Sequence, residues 1–371
     1  MTLPAEFVVP EAGGLRGILA ASMEAVGLGP AEGAFDTDGL EFPRAPRACV
    51  VLVDGLGWTQ LRQRSGHFPF LRGREAECVT TVTPSTTAAA ISSFGTGRTP
   101  GETGMLGYTV RSPEGELLNL IRWEHGPKAM RAWQTVPTLA ERLARPERFA
   151  VLAPERFTGS GLTEAALRGS RGIAAEDLSE RVDGAVAELR SGRADLAYVY
   201  WGDVDHVGHD RGWTSYEWGE EAGRTDGEIG RLARELPRDT LLVVTSDHGM
   251  IDVSTRTDVA TTPVLAAEVD LVAGEPRCSH LFTPNPEGVA ARWQDYFGES
   301  AWVALREEAL PLFGTVTGRF RPVIGDVVVF MRGRDVAVDS RTQTPGSIAL
   351  TGVHGSLTAD EMRIPLVVEV V

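Results

Sequence analysis

Short apolar runs recur along the chain, each followed by glycine or polar residues. They are Ala48 to Val53 (A-C-V-V-L-V), Phe149 to Ala153 (F-A-V-L-A), Leu196 to Trp201 (L-A-Y-V-Y-W), Leu241 to Thr245 (L-L-V-V-T) and the final stretch from Ile364 to Val371. Runs this short, without strict alternation, read as strands covered on both faces. Helical patterns lie between them at Val136 to Leu143, Ala174 to Leu189 and Tyr216 to Glu235. Strand, helix, strand in this order predicts an α/β fold, a three-layer sandwich around a mostly parallel central sheet.

The pattern changes between about residues 255 and 345. This stretch holds P-N-P-E-G at Pro284 to Gly288, an amphipathic run from Val289 to Phe297 and a β-rich run from Gly325 to Met331. It ends in the polar segment R-T-Q-T-P-G-S from Arg341 to Ser347. The expected organisation is an α/β core over 45–254, a smaller inserted lobe or cap over 255–345, and a return to the core over 346–371. Residues 1–44 form an N-terminal extension packed on the core.

Charge narrows the range of partners. The 371 residues carry 36 basic and 51 acidic side chains, a net charge of −15. Such a chain repels nucleic-acid backbones and anionic membrane surfaces, so neither is an expected partner. Cys49, Cys78 and Cys278 are scattered and form no C-x-x-C pair, which suits a reducing compartment. The N-terminus shows no basic region followed by an apolar stretch, and no run reaches the ~20 apolar residues of a membrane span. A cytoplasmic location is expected. Oligomeric state is left open.

Acidic and histidine residues follow directly on the predicted strands. Asp54 ends V-V-L-V-D-G, Asp205 and His209 lie in W-G-D-V-D-H-V-G-H, and Asp247 and His248 lie in T-S-D-H-G-M. His354, in G-V-H-G-S, comes just before the last strand. Open parallel sheets form sites outside the carboxyl ends of their strands, so these residues are expected to meet. Three carboxylates and three imidazoles suit two zinc or manganese ions. A hydroxyl-rich segment, T-V-T-P-S-T-T-A-A-A-I, begins at Thr81. Pro84 breaks the preceding strand and the alanines start a helix, which puts Thr86 and Thr87 where free N–H groups favour an anion.

These motifs, in this order from position 54 to position 354, resemble the alkaline phosphatase superfamily, and within it the nucleotide pyrophosphatase/phosphodiesterase branch. The resemblance implies one zinc held by Asp205, His209 and His354, and another held by Asp54, Thr87, Asp247 and His248, with manganese the alternative. It also implies that Thr87 is the catalytic nucleophile, because the branch spacing from Pro84 and from Thr96-Gly97 selects Thr87 over Thr86. The implied activity is hydrolysis of phosphodiester or nucleotide pyrophosphate bonds in a small phosphorylated substrate, such as a nucleotide, through a phospho-threonine. Alternatives on the same site are a phosphonate or phosphomonoester hydrolase, or a non-catalytic metal-binding member. Monoesterases of the superfamily use an arginine near the nucleophile, and none lies between Thr83 and Gly97. No C-x-P-x-R motif surrounds any of the cysteines, which separates the chain from sulfatases. Asp203, His206, His125 and Tyr108 are further residues to place around the site.

Overall fold

The computed structural model describes residues 3–371. Its central sheet has seven strands: β1 (Arg47–Val53), β2 (Ala76–Thr80), β3 (Phe149–Ala153), β4 (Arg171–Ala174), β5 (Leu196–Trp201), β6 (Thr240–Thr245) and β7 (Arg363–Val370). Their spatial order is β2-β7-β6-β1-β5-β3-β4. β1 pairs in parallel with β5 and β6, and β3 pairs in parallel with β4 and β5. Only β7 is reversed, lying antiparallel between β2 and β6.

Strand alternation builds the three layers. Val50 and Leu52 of β1 join a core with α1 (Leu15–Ala25) and α2 (Thr87–Thr96), which contribute Ile18, Leu19, Ile91 and Phe94. Cys49, Val51 and Val53 face the other way, onto α3 (Leu178–Arg190) and α5 (Tyr216–Glu235), which contribute Val182, Leu189, Trp218 and Ile229. With both faces covered, the strands need no polar side, and this explains their continuous apolar runs. Between β5 and α5 lies α4 (Asp203–Arg211).

Two helices begin later than their patterns predict. The expected helix at 136–143 contracts to Leu139–Arg142, because Pro137 holds Val136 out of the helical region and Thr138 starts the helix with a capping box to Glu141. The helix expected from Ala174 starts at Leu178. Asp177 caps it by accepting from Glu180 N–H, and Ala174 instead ends the edge strand β4.

A second, six-stranded sheet occupies the later part of the chain, in the order Ala301–Leu305, Val327–Met331, Cys278–Phe282, Leu271–Glu275, Thr109–Arg111, Leu117–Asn119. Its pairings are antiparallel. The last two strands come from before β3, so the sheet draws on two separated stretches of sequence. Helix α6 (Pro286–Phe297) buries Val289 and Trp293 against one face. On the other side, Trp302, Phe320 and Phe330 share a core with Met105, Trp133 and, from the C-terminal segment, Leu357 and Met362. Among the described residues no helix is long and apolar enough to cross a membrane.

Candidate metal centre

The site forms where β1, β5 and β6 end. Asp54 follows β1, and its N–H donates to Trp201 C=O at 2.8 Å, continuing the β1–β5 ladder by one residue. Gly55 then turns with φ +73°, and a Cβ there would lie 2.8 Å from Asp205 Cβ. A side chain is excluded on both counts, which is why Asp-Gly follows the strand. Asp205 and His209 are four apart on α4 and share a face, with His209 Nε2 3.2 Å from Asp205 Oδ2. The β6 end delivers Asp247 and His248. His354 arrives after a short strand, Gly352–Val353, that pairs antiparallel with Ile251–Asp252 just past the D-H-G-M motif.

The seven positions named from the sequence come together. Ligating atoms of Asp205, His209 and His354 lie within 4.8 Å of one another, and so do those of Asp54, Asp247 and His248. His248 Nε2 stands 3.4 Å from both Asp54 Oδ1 and Asp247 Oδ2, and His354 Nε2 is 3.8 Å from Asp205 Oδ1. The His248 and His354 rings stack at 3.6 Å between centroids, so the clusters adjoin. Thr87 opens α2, and its Oγ1 lies 3.1 Å from His248 Nε2. Thr86, the N-cap, makes no side-chain cap bond, so its hydroxyl does not satisfy the first-turn N–H groups.

Two features fit these residues to metal. The three histidines are all held through Nδ1 by a backbone carbonyl: His209 by Gly352 at 2.7 Å, His248 by Gly249 at 3.0 Å and His354 by Ser85 at 2.9 Å. Nδ1 therefore carries a proton, and Nε2 is the atom each ring turns to the centre. At His209, where burial is outweighed by Asp205 and the pKa is raised to about 9, a bound cation would have to displace the Nε2 proton. Secondly, Asp54 Oδ1, Asp205 Oδ1 and Asp247 Oδ2 are buried without a hydrogen-bond partner among the described residues. Buried carboxylate oxygens left over in this way are what a cation satisfies.

Electrostatics points the same way. Burial, together with the charges of Asp247 and Asp205, pushes the Asp54 carboxyl well above its usual range. Burial also raises Asp247. Burial opposes ionisation of Asp205 too, but His209, His354 and His248 outweigh it and hold its pKa below the usual value. His354 is held well below the ordinary imidazole value by burial and by neighbouring His248. Three carboxyl groups this close ionise together only beside positive charge.

Other sequence candidates do not join the centre. Asp203 and His206 are exposed on α4, where Asp203 pairs with Arg224 at 3.5 Å. His125 packs edge-on to Trp123 at the surface. Sequence reading passed over Tyr200, whose hydroxyl donates to Asp54 Oδ2, and Ser85, Gly249 and Gly352, whose carbonyls hold the histidines. Tyr200 was findable: it is two residues from Tyr198 on a strand that ends at the metal motif. The carbonyls carry no sequence signal.

A doubly covered, mostly parallel sheet with two histidine–carboxylate clusters and a helix-opening threonine at its strand ends defines an enzyme of the alkaline phosphatase superfamily. The match to the type I phosphodiesterase/nucleotide pyrophosphatase family spans residues 48–357, and the chain belongs to that family. Among solved structures it is similar to phosphonoacetate hydrolase from Sinorhizobium meliloti 1021 in complex with phosphonoformate, with TM-score 0.68 and 19% identity over 89% of this chain and 91% of that one. It is also similar to murine ectonucleotide pyrophosphatase/phosphodiesterase 5, with TM-score 0.66 and 18% identity over 86% and 87%. No curated protein matches in sequence.

Proposed function

We propose that the protein hydrolyses phosphodiester or nucleotide pyrophosphate bonds through a phospho-threonine on Thr87, at a site that takes two zinc ions, with manganese the alternative. One observation carries the reading: the Thr87 hydroxyl stands at a helix start, 3.1 Å from His248 Nε2, beside clusters whose carboxylate oxygens lack partners. Asp205, His209 and His354 would hold one ion, and Asp54, Thr87, Asp247 and His248 the other. When bound, the ions supply the positive charge that lowers the threonine pKa and offsets the charge of the phosphoryl oxygens.

Thr87 Oγ1 attacks phosphorus opposite the leaving ester oxygen. The Oγ–P bond forms as the P–O bond breaks, and the departing alcohol or nucleotide takes up a proton. Water then attacks the same phosphorus, the Oγ–P bond breaks, and Thr87 regains its proton. First-turn N–H groups of α2 would bind a non-bridging oxygen. Tyr200 orients Asp54 by donating to Oδ2, which leaves Oδ1 turned to the cluster. A cytoplasmic location belongs to this reading, supported by three free cysteines.

Phosphonate hydrolysis is the second reading. The fold likeness to phosphonoacetate hydrolase, at TM-score 0.68, favours it. For the first reading, the inactive murine structure in complex with AMP supports a small phosphorylated ligand. The test is turnover of an aryl phosphodiester and of phosphonoacetate by the zinc-loaded enzyme, with and without chelator. Diester cleavage that stops with chelation and returns with zinc is expected. Activity indifferent to chelation overturns the metal site, and faster turnover of phosphonoacetate promotes the second reading.

A further inference from the structure

The second sheet approaches the metal centre at the tip of a hairpin. Its strands Leu271–Glu275 and Cys278–Phe282 are joined at Pro276-Arg277, and the Arg277 side chain is fully buried. Its guanidinium forks onto Glu361, also fully buried, with Nε 3.0 Å from Oε1 and Nη2 2.7 Å from Oε2. Nη1 donates to the carbonyl of Asp335 at 2.6 Å. A bidentate pair of this kind fixes the orientation of both partners.

Glu361 passes that orientation in two directions. Its Oε1 accepts from Ser356 N–H at 3.0 Å; the Ser356 carbonyl accepts from Ser85 Oγ at 2.7 Å, and the Ser85 carbonyl holds His354 Nδ1 at 2.9 Å. The backbone carbonyl of Glu361 accepts from Gly249 N–H at 2.8 Å, and the Gly249 carbonyl holds His248 Nδ1 at 3.0 Å. Each metal cluster thus has one histidine tied to Glu361, His354 by three hydrogen bonds from its carboxylate and His248 by two from its backbone carbonyl. Ser356 is gripped once more by the second sheet, its hydroxyl donating to Met331 C=O at 2.6 Å. Between His354 and Ser356, Gly355 lies against Glu275 of the same hairpin, where a Cβ would come within 2.5 Å of Glu275 Cγ.

We infer that the buried Arg277–Glu361 pair is a positioning device, by which the hairpin tip of the second sheet holds His248 and His354 in ligating orientation for both halves of the metal centre. The inference rests on the two-metal reading above. A buried ion pair is a poor source of net stability, since its desolvation cost offsets most of the attraction. Its presence at this position therefore calls for a role that an apolar pair would not fill, and the two chains of hydrogen bonds supply one.

The test replaces both partners, Arg277→Met with Glu361→Leu, so that no uncompensated charge is left buried. The readouts are zinc affinity, by competition with a chromogenic chelator, and kcat and KM on an aryl phosphodiester. The double variant is expected to fold, to bind zinc at least tenfold more weakly, and to lose at least tenfold in kcat at saturating zinc with KM within about twofold. Arg277→Lys, which keeps the charge without the fork, should fall between it and the native enzyme. Native zinc affinity and kcat in the double variant would overturn the inference. If that variant does not fold, Ser85→Ala decides. It cuts the chain to His354 at the bond from Ser85 Oγ to the Ser356 carbonyl and leaves the ion pair folded in place, and a weaker zinc site supports the role while an unchanged one overturns it. Native enzyme that binds no zinc would instead bring down the two-metal reading itself, so the two failures are distinguishable.

Discussion

At the scale of single residues, the site separates chemistry from support. Thr87 is half-buried, and its hydroxyl contacts His248 rather than capping a helix, since Thr86 is the N-cap. Thr87→Ala should therefore cost only about 1 kcal/mol of stability, the net worth of one hydrogen bond. Turnover should fall by orders of magnitude while zinc binding largely persists. Stopped-flow rates, denaturant melts and elemental analysis of the same preparation check all three. His280 is a histidine of the opposite kind. It is buried in the second sheet and accepts from Gly325 N–H through Nδ1 at 3.1 Å. Burial, and then the charge of Arg306, push its pKa down to about 4. The folded value lies below the unfolded ~6.5, so its contribution is fully present above pH 6.5 and is lost as pH falls towards 4. The loss is on the order of 3 kcal/mol. His280→Asn keeps an acceptor without the titration, and its urea midpoint should vary less across pH 4 to 7 than the native midpoint does.

At the scale of elements, strand ends and the turns after them decide where ligands point. Gly55 illustrates how tightly: its backbone is left-handed, and its missing side chain leaves room for Asp205 at the start of α4. Gly55→Ala must strain the turn by ~1–2 kcal/mol and push α4 outward. The expected result is a less stable protein whose kcat drops more than tenfold, since Asp54 precedes the turn and Asp205 faces it. Equal kcat with reduced stability would show that the turn serves the fold alone. The same scale shows where reading the chain went astray. The run at 136–143 has helical periodicity, but Pro137 and the Thr138 cap delay the helix to Leu139. Capping and backbone restriction override periodicity over so short a span.

For the molecule as a whole, a net charge of −15 is compatible with the anionic substrate of the proposed function, because bound dications would dominate the local field. Under the proposed function, what surrounds Thr87 favours diesters over monoesters. The first arginine after it, Arg98, lies beyond the far end of α2, about 16 Å along at 1.5 Å per residue, and faces Glu102 at 3.8 Å. A monoester dianion presents three oxygens and needs a donor for the third, whereas a diester presents two. An aryl phosphodiester should therefore exceed the matching aryl monoester in kcat/KM under the same zinc and pH. A tenfold preference for the monoester would assign the site to phosphomonoesters instead.

The linear chain by itself determined the layered α/β core and the chemistry at its strand ends. Apolar runs such as Ala48 to Val53 have no polar face to offer solvent, so burial on both sides follows. Asp54, Asp205 with His209, and Asp247 with His248 stand immediately after such runs, so their convergence follows from parallel strand order. His354 was legible more weakly, from its place just before the last strand and from the motif order, because nothing local distinguishes it from a loop histidine. Tertiary structure alone decided the rest: that β7 runs antiparallel between β2 and β6, that residues 109–119 complete a sheet begun far downstream, and that carbonyls of Ser85, Gly249 and Gly352 set the histidine tautomers. Backbone carbonyls are the same at every position, and a pairing between distant segments depends on how the whole chain packs. Neither leaves a mark in the local order of side chains.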